Sequence, residues 1–257
     1  VVLKLRDRAI DCSRHVLIVG EVRVDLNLEL GNQVSCIHAA VEHARDLVRD
    51  GADIIEVGLS GEKLRSEGRD IETEVRIFEE LFRLLEVTVP VAVRISCIEV
   101  ARRVVPKNGD VLVYEAKTGF SAAAGLCMQT GATFVLAFST QNAHEAGSLD
   151  GLFELGQRGV QEADLAGLRT DFMAIDPGDG SKSTQALKRW MDLKRPLWLS
   201  ISPNDGTIDS FNAESVAAMV HGWRHGVRIF GVRNAPAARA VVRLLQALDV
   251  AACASQP

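Results

Sequence analysis

Short, nearly continuous apolar runs recur along the chain, each separated from the next by an amphipathic stretch. The repeating unit is clearest around Asp50-Gly51-Ala52-Asp53-Ile54-Ile55-Glu56-Val57-Gly58. Val41, Ala44, Leu47 and Val48 share one helical face, Gly51 stops that helix, and a buried strand then runs to a polar end. The same step predicts strands at 15–20, 53–58, 89–95, 110–115, 132–138, 171–176, 196–202 and 227–231. It predicts helices at 34–49, 71–86, 98–105, 119–129, 150–166, near 184–193, near 213–224 and at 235–248. Glu72 and Glu74 place negative charge in the first turn of the second helix, where the helix dipole favours it.

Strands that are apolar throughout, alternating with helices, indicate a closed parallel sheet covered on its outside: a single α/β (β/α)8 TIM barrel. An open doubly wound sheet is the competitor, but Gly20-Glu21-Val22-Arg23 after the first strand lacks a Gly-rich phosphate turn. The barrel is expected over residues 15–248. Residues 1–14 form a lead-in strand or hairpin closing its bottom, and 249–257 form a small polar tail that frays.

In such a barrel function gathers where strands end, at the C-terminal face. Those ends carry Glu21/Arg23/Asp25/Asn27, Glu56, Arg94/Ser96, Tyr114/Glu115, Phe138/Ser139/Thr140, Asp176, Ser202/Asn204/Asp205 and Arg233/Asn234. Asp176 follows four apolar residues, so its carboxylate either grips a ligand N–H pair or a cation, or caps the Asp176-Pro177-Gly178 turn. Arg94 ends an apolar run and needs an anion: a ligand, or a structural partner in Glu56 or Glu115. Tyr114, the single tyrosine, either stacks on a flat ligand or packs in the core. Glu115 is an acid/base or a rim salt bridge. Asn204 offers an amide to a heterocycle or merely shapes its turn, and Arg233 with Asn234 holds a phosphate or supplies a cap and a solvated charge. Ser139-Thr140 has no neighbouring His base, and His144, His221 and His225 lie away from the strand ends.

A net charge of −5 without a basic stripe argues against nucleic acid as a partner, and the apolar runs are too short to cross a membrane. Five cysteines, an odd number with no CxxC pair, read as reduced thiols in a cytoplasmic protein and not as a metal site.

From about residue 15 to 248 the chain resembles the dihydropteroate synthase family of pterin-binding barrels. The resemblance is carried by His38-Ala39-Ala40-Val41-Glu42-His43-Ala44 through Gly51–Gly58, by Asp70-Ile71-Glu72-Thr73-Glu74-Val75-Arg76, and by Ala174-Ile175-Asp176-Pro177-Gly178. It implies a pterin-binding barrel, a homodimer packed through late helices, a pterin-like or anionic small-molecule ligand, and magnesium only where a pyrophosphate substrate is bound. Among the family's pterin-binding positions, only Asp176 stands unchanged. The first-strand loop reads Val22-Arg23-Val24-Asp25-Leu26. Arg94 stands where the family has the Asp of its third strand, Tyr114-Glu115 where it has Asn-Asp, Asn204 where it has Lys, and Arg233 where it has His. Leu17-Ile18-Val19-Gly20-Glu21 also looks like the opening strand of the methyltetrahydrofolate methyltransferases, whose Asp and Asn at the third and fourth strand ends are likewise absent.

Replacing a pocket Asp by Arg reverses a charge where a guanidine-like ring edge should dock, a mismatch of about a few kcal/mol. Three readings follow. The first is a paralogue with a rebuilt pocket, either without synthase activity or taking a more anionic ligand near Arg94, Asp176 and Arg233. The second is a non-catalytic scaffold or heteromer subunit. The third is a divergent working synthase, joining a pterin pyrophosphate to 4-aminobenzoate, with Asp176 on the pterin and Arg233 or Arg94 on the pyrophosphate.

Overall fold

The computed structural model describes residues 2–5, 8–25, 30–60, 70–115, 117–138, 148–177, 187–201 and 211–254. Eight parallel strands form one sheet: β3 (Leu17–Asp25), β4 (Ile54–Ser60), β5 (Val91–Ile95), β6 (Val111–Tyr114), β7 (Thr133–Ala137), β8 (Met173–Asp176), β9 (Trp198–Ile201) and β10 (Ile229–Val232). Each pairs with its neighbour in sequence, and β10 returns to pair with β3. The remaining seam, between β8 and β9, is closed by a single parallel bridge from Ile175 to Leu197, so the sheet is a barrel. Helices α1 (Leu30–Arg49), α2 (Ile71–Leu84), α3 (Ile98–Asn108), α4 (Phe120–Thr130), α5 (Leu149–Leu165), α6 (Leu187–Met191), α7 (Ala213–Arg224) and α8 (Ala235–Ala254) alternate with the strands.

Side chains alternate along each strand, which gives the barrel two separate cores. Ile18, Ile55, Val93, Leu112, Phe134, Ile175, Leu199 and Phe230 point outward and pack under the helices. Val19, Ile54, Ala92, Val113, Ala137, Ala174, Trp198 and Ile229 fill the interior. The lead-in forms a hairpin of β1 (Val2–Leu5) and β2 (Arg8–Asp11). Its Leu3 and Leu5 join the interior cluster, and the hydroxyl of Thr133 donates to the Lys4 carbonyl, which makes the hairpin the barrel's floor.

Three boundaries differ from expectation. β3 and β4 run to Asp25 and Ser60 and stay paired throughout, although Glu21 to Asp25 read as loop. Val22 and Val24 remain buried on one face of that extension, while Glu21, Arg23 and Asp25 alternate with them, so the ladder continues as a two-stranded ribbon above the rim. The expected frayed tail is helical to Ala254, continuing α8, and the indole of Trp223 donates to Asp249 (2.9 Å) at its start. β8 begins at Met173, because residues 170–172 form a 3-10 turn.

Candidate functional site

The inward row of each strand sets the site. Two residues beyond the interior apolar layer, on the same face, stand Glu21 after Val19, Glu56 after Ile54, Arg94 after Ala92, Asp176 after Ala174 and Ser200 after Trp198. Their side chains converge at the C-terminal end of the barrel. The Arg94 guanidinium lies at the centre. Its Nε donates to Glu56 Oε1 (2.8 Å) and its Nη2 to Glu56 Oε2 (3.2 Å), a forked pair. The same Nη2 donates to Asp176 Oδ2 (2.6 Å) and lies 3.3 Å from Ser200 Oγ, while Nη1 reaches Glu115 Oε2 (3.1 Å). Ser200 Oγ donates to Asp176 Oδ2 (3.0 Å). A second guanidinium, Arg23, donates to Glu56 Oε1 at 2.5 Å and stands 3.6 Å from Glu21.

Among the described residues, four carboxylates, those of Glu21, Glu56, Glu115 and Asp176, thus share two guanidiniums. Glu56 and Asp176 are completely buried, and the Arg94 side chain is 12% exposed. Burial alone would keep these acids neutral. At Glu56 burial is outweighed by Arg94 and Arg23, which hold its carboxyl below the ordinary glutamate range. At Asp176 burial wins and pushes the carboxyl up to about 6, even with Arg94 against it. For Arg94 itself, desolvation is outweighed by Glu56, Asp176 and Glu115 together, so its guanidinium is held well above its usual value. The opposite directions at the two acids have one cause. Arg94 and Arg23 both serve Glu56, whereas Asp176 draws on Arg94 and also feels the charges of Glu56 and Glu21.

Two inward glycines make room for this cluster. A Cβ at Gly58 would lie 3.2 Å from Arg94 Cβ and 3.4 Å from Arg23 Nη1. A Cβ at Gly231 would overlap the Glu21 carboxylate, which is itself enclosed. Gly231→Ala is therefore expected to destabilise the barrel by about 1–3 kcal/mol, the usual cost of overpacking, read as a lower urea midpoint. An unchanged midpoint would mean that Glu21 is free to move aside.

Of the residues singled out in the sequence, Arg94, Glu115 and Asp176 are brought together, with Glu56 as Arg94's forked partner. Tyr114 is not with them. It lies on the outward face of β6, buried edge-on to Phe120 (ring centroids 6.5 Å), with its hydroxyl donating to the Thr118 carbonyl (3.3 Å). Of its two readings, stacking on a ligand inside the barrel or packing in the core, Tyr114 takes the core one. Arg233 follows β10 directly, continuing the row of Ile229 and Gly231, and no ion pair holds it among the described residues. Asn234 caps α8, its Oδ1 accepting from the Ala237 N–H (3.0 Å). Asn204, Gly178, Ser139, Thr140 and His144 lie outside the described residues. Glu21, Arg23 and Ser200 complete the ring, although residue type alone offers no ground for choosing them over other strand-end polar groups. Their signal was parity: each falls on the inward row, an even number of residues beyond an interior apolar position. Among the described residues, no group of three or more His, Cys, Asp and Glu side chains is arranged to hold a metal. Cys12, Cys36, Cys97 and Cys127 form no disulfide, and no described helix is long and apolar enough to cross a membrane.

Solved structures share this architecture. The dihydropteroate synthase of Thermus thermophilus superposes with a TM-score of 0.74 at 23% identity, over 96% of this chain and 100% of that one. The Xanthomonas albilineans dihydropteroate synthase, solved with 4-aminobenzoic acid, gives 0.74 at 19% identity over 100% and 99%. The Yersinia pestis enzyme, carrying a pterine-sulfa conjugate, gives 0.70 at 18% over 97% and 100%. No curated protein matches the sequence significantly. The sequence pattern of the pterin binding enzyme family matches residues 30–197, from the start of α1 to the residue before β9, and so takes in Glu56, Arg94, Glu115 and Asp176. On that match, over most of its length, the chain belongs to the pterin-binding enzyme family.

Proposed function

We propose that this protein is a family member whose pocket is closed by its own Arg94, and that it acts as a non-catalytic binding or scaffold subunit and not as a dihydropteroate synthase. One observation carries the reading. The Arg94 guanidinium forks onto Glu56 and donates to Asp176 at 2.6 Å, so an internal group already supplies the planar N–H donors that a pterin's guanidine-like edge would offer to Asp176. To admit a pterin, Arg94 would have to leave, taking its guanidinium from the fully buried Asp176 and leaving Glu56 with Arg23. Breaking a buried pair in this way costs about 3–5 kcal/mol, which is roughly two to four decades of affinity. The same partners weigh against an anionic ligand at Arg94, because its donors are already spent on carboxylates.

Calorimetric titration with a dihydropterin pyrophosphate, with and without magnesium, tests this reading. No saturable heat is expected up to about millimolar ligand, and no dihydropteroate should form when 4-aminobenzoate is added. Micromolar binding by the folded protein would restore the synthase reading and overturn the present one.

A further inference from the structure

At the opposite end of the barrel, the turn before β9 and the turn before β10 enclose a cavity of about 150 Å³ with Cys12 of the floor hairpin. Its volume is well below the roughly 300–1,000 Å³ of pockets that take whole organic ligands. Its lining includes Lys194, Arg195, Arg228 and His225, and no carboxylate. In a chain of net charge −5 this is a local excess of the opposite sign.

The cations are incompletely satisfied. Arg195 gives its Nη2 to Asp164 (2.7 and 2.9 Å), yet its Nε is buried without a hydrogen-bond partner, and its side chain is only 9% exposed. Arg228 Nη1 donates to the Trp223 and Val227 carbonyls (3.0 and 2.8 Å), and the guanidinium stacks on the Trp223 ring (4.2 Å). Lys194 has no ion pair among the described residues and holds a left-handed backbone (φ 54°), presenting it from the tight turn ahead of Pro196. His225 Nδ1 lies 3.0 Å from the His221 carbonyl, which can only accept, so Nδ1 donates to it. Unspent donors from three cations around a space this small are the chemistry that recognises a tetrahedral oxyanion.

We propose that this cavity binds a phosphate group, as inorganic phosphate or the head of a small phosphomonoester, at a site separate from the Arg94 cluster. Lys194, Arg195 and Arg228 hold its oxygens. The probe is inorganic phosphate, titrated by calorimetry at constant ionic strength against the wild-type protein and three variants. Saturable binding is expected in the wild type, weakened about tenfold by Lys194→Gln and by Arg228→Gln, the loss of one charge-assisted contact each. Lys194 is exposed, so its variant separates loss of binding from loss of folding, which near-ultraviolet circular dichroism checks for Arg228→Gln. Arg233→Gln, at the other face, should bind as the wild type does. Absence of saturable binding in the wild type would overturn the proposal, as would binding that ignores Lys194→Gln or falls equally with Arg233→Gln. Glycerol phosphate competing for the same site would show that phosphomonoesters enter as well; failure to compete would confine the site to the free ion.

Discussion

Arg94→Met is expected to lower the unfolding free energy by about 3–5 kcal/mol at pH 7.5. The substitution keeps an unbranched side chain of similar reach, so the loss reads the charge cluster and not a cavity. It removes the forked donor of Glu56 and the donor of Asp176, both wholly buried. Among the described residues, Glu56 retains a guanidinium, Arg23 at 2.5 Å, and Asp176 retains the Ser200 hydroxyl at 3.0 Å. The penalty therefore falls mainly on Asp176 and should shrink as the pH is lowered and that carboxyl takes up a proton. Urea unfolding of both proteins at pH 7.5 and pH 5 measures this. A difference below about 1 kcal/mol at pH 7.5 would place the cluster among solvated ion pairs and remove the ground for a closed pocket.

Asp176→Asn should act in the other direction. Burial lifts the folded carboxyl from its ordinary 3.8 to about 6, so the folded protein binds this proton more tightly than the unfolded chain does. That contribution favours folding fully below about pH 3.8 and is lost as the pH rises through 6. That rise from 3.8 to about 6 corresponds to about 3 kcal/mol. Asparagine keeps an acceptor for Arg94 and Ser200 but cannot ionise. The variant is expected to exceed the wild type by up to about 3 kcal/mol at pH 7.5, and the difference should close toward pH 4. Glu56 works oppositely. Its lowered carboxyl supplies stability above the ordinary glutamate value that is lost as the pH falls through the folded one, so both proteins share an acid limb. Urea midpoints between pH 4.5 and 8 separate the two contributions, and a variant weaker than wild type at pH 7.5 would show that Asp176 is needed as an anion.

The barrel was legible because its signal is repetition. Gly51 at a helix stop, the Ile54–Val57 run and the acidic turn at Glu72 and Glu74 each report local physics that the tertiary structure had no reason to override. The charged half of β3 was not legible as strand. Glu21, Arg23 and Asp25 look like a rim loop until their alternation with the buried Val22 and Val24 is given priority over their charge. The Arg94 pairing with Glu56 and Glu115 was legible as one of two alternatives, since a buried guanidinium demands an acid. Of the two readings of Tyr114 parity selects the core one: it shares the outward face with Leu112, and its neighbours Val113 and Glu115 take the inward one. The phosphate-sized cavity at the other end had no trace in the sequence. Its cations come from two turns separated by a whole strand–helix unit, and only barrel closure brings them together.

The cluster around Arg94 also restricts the routes by which such a protein could change. An aspartate at 94 would place a fifth carboxylate among Glu21, Glu56, Glu115 and Asp176, with Arg23 as the remaining guanidinium of the ring. Removing Glu56 first would take the forked partner from Arg94 and the nearest carboxylate from Arg23. Neighbouring charges of this kind are strongly non-additive, so a single exchange at 94 or at 56 passes through a less stable barrel. The closed arrangement is a ratchet, left only by exchanging several of its members together.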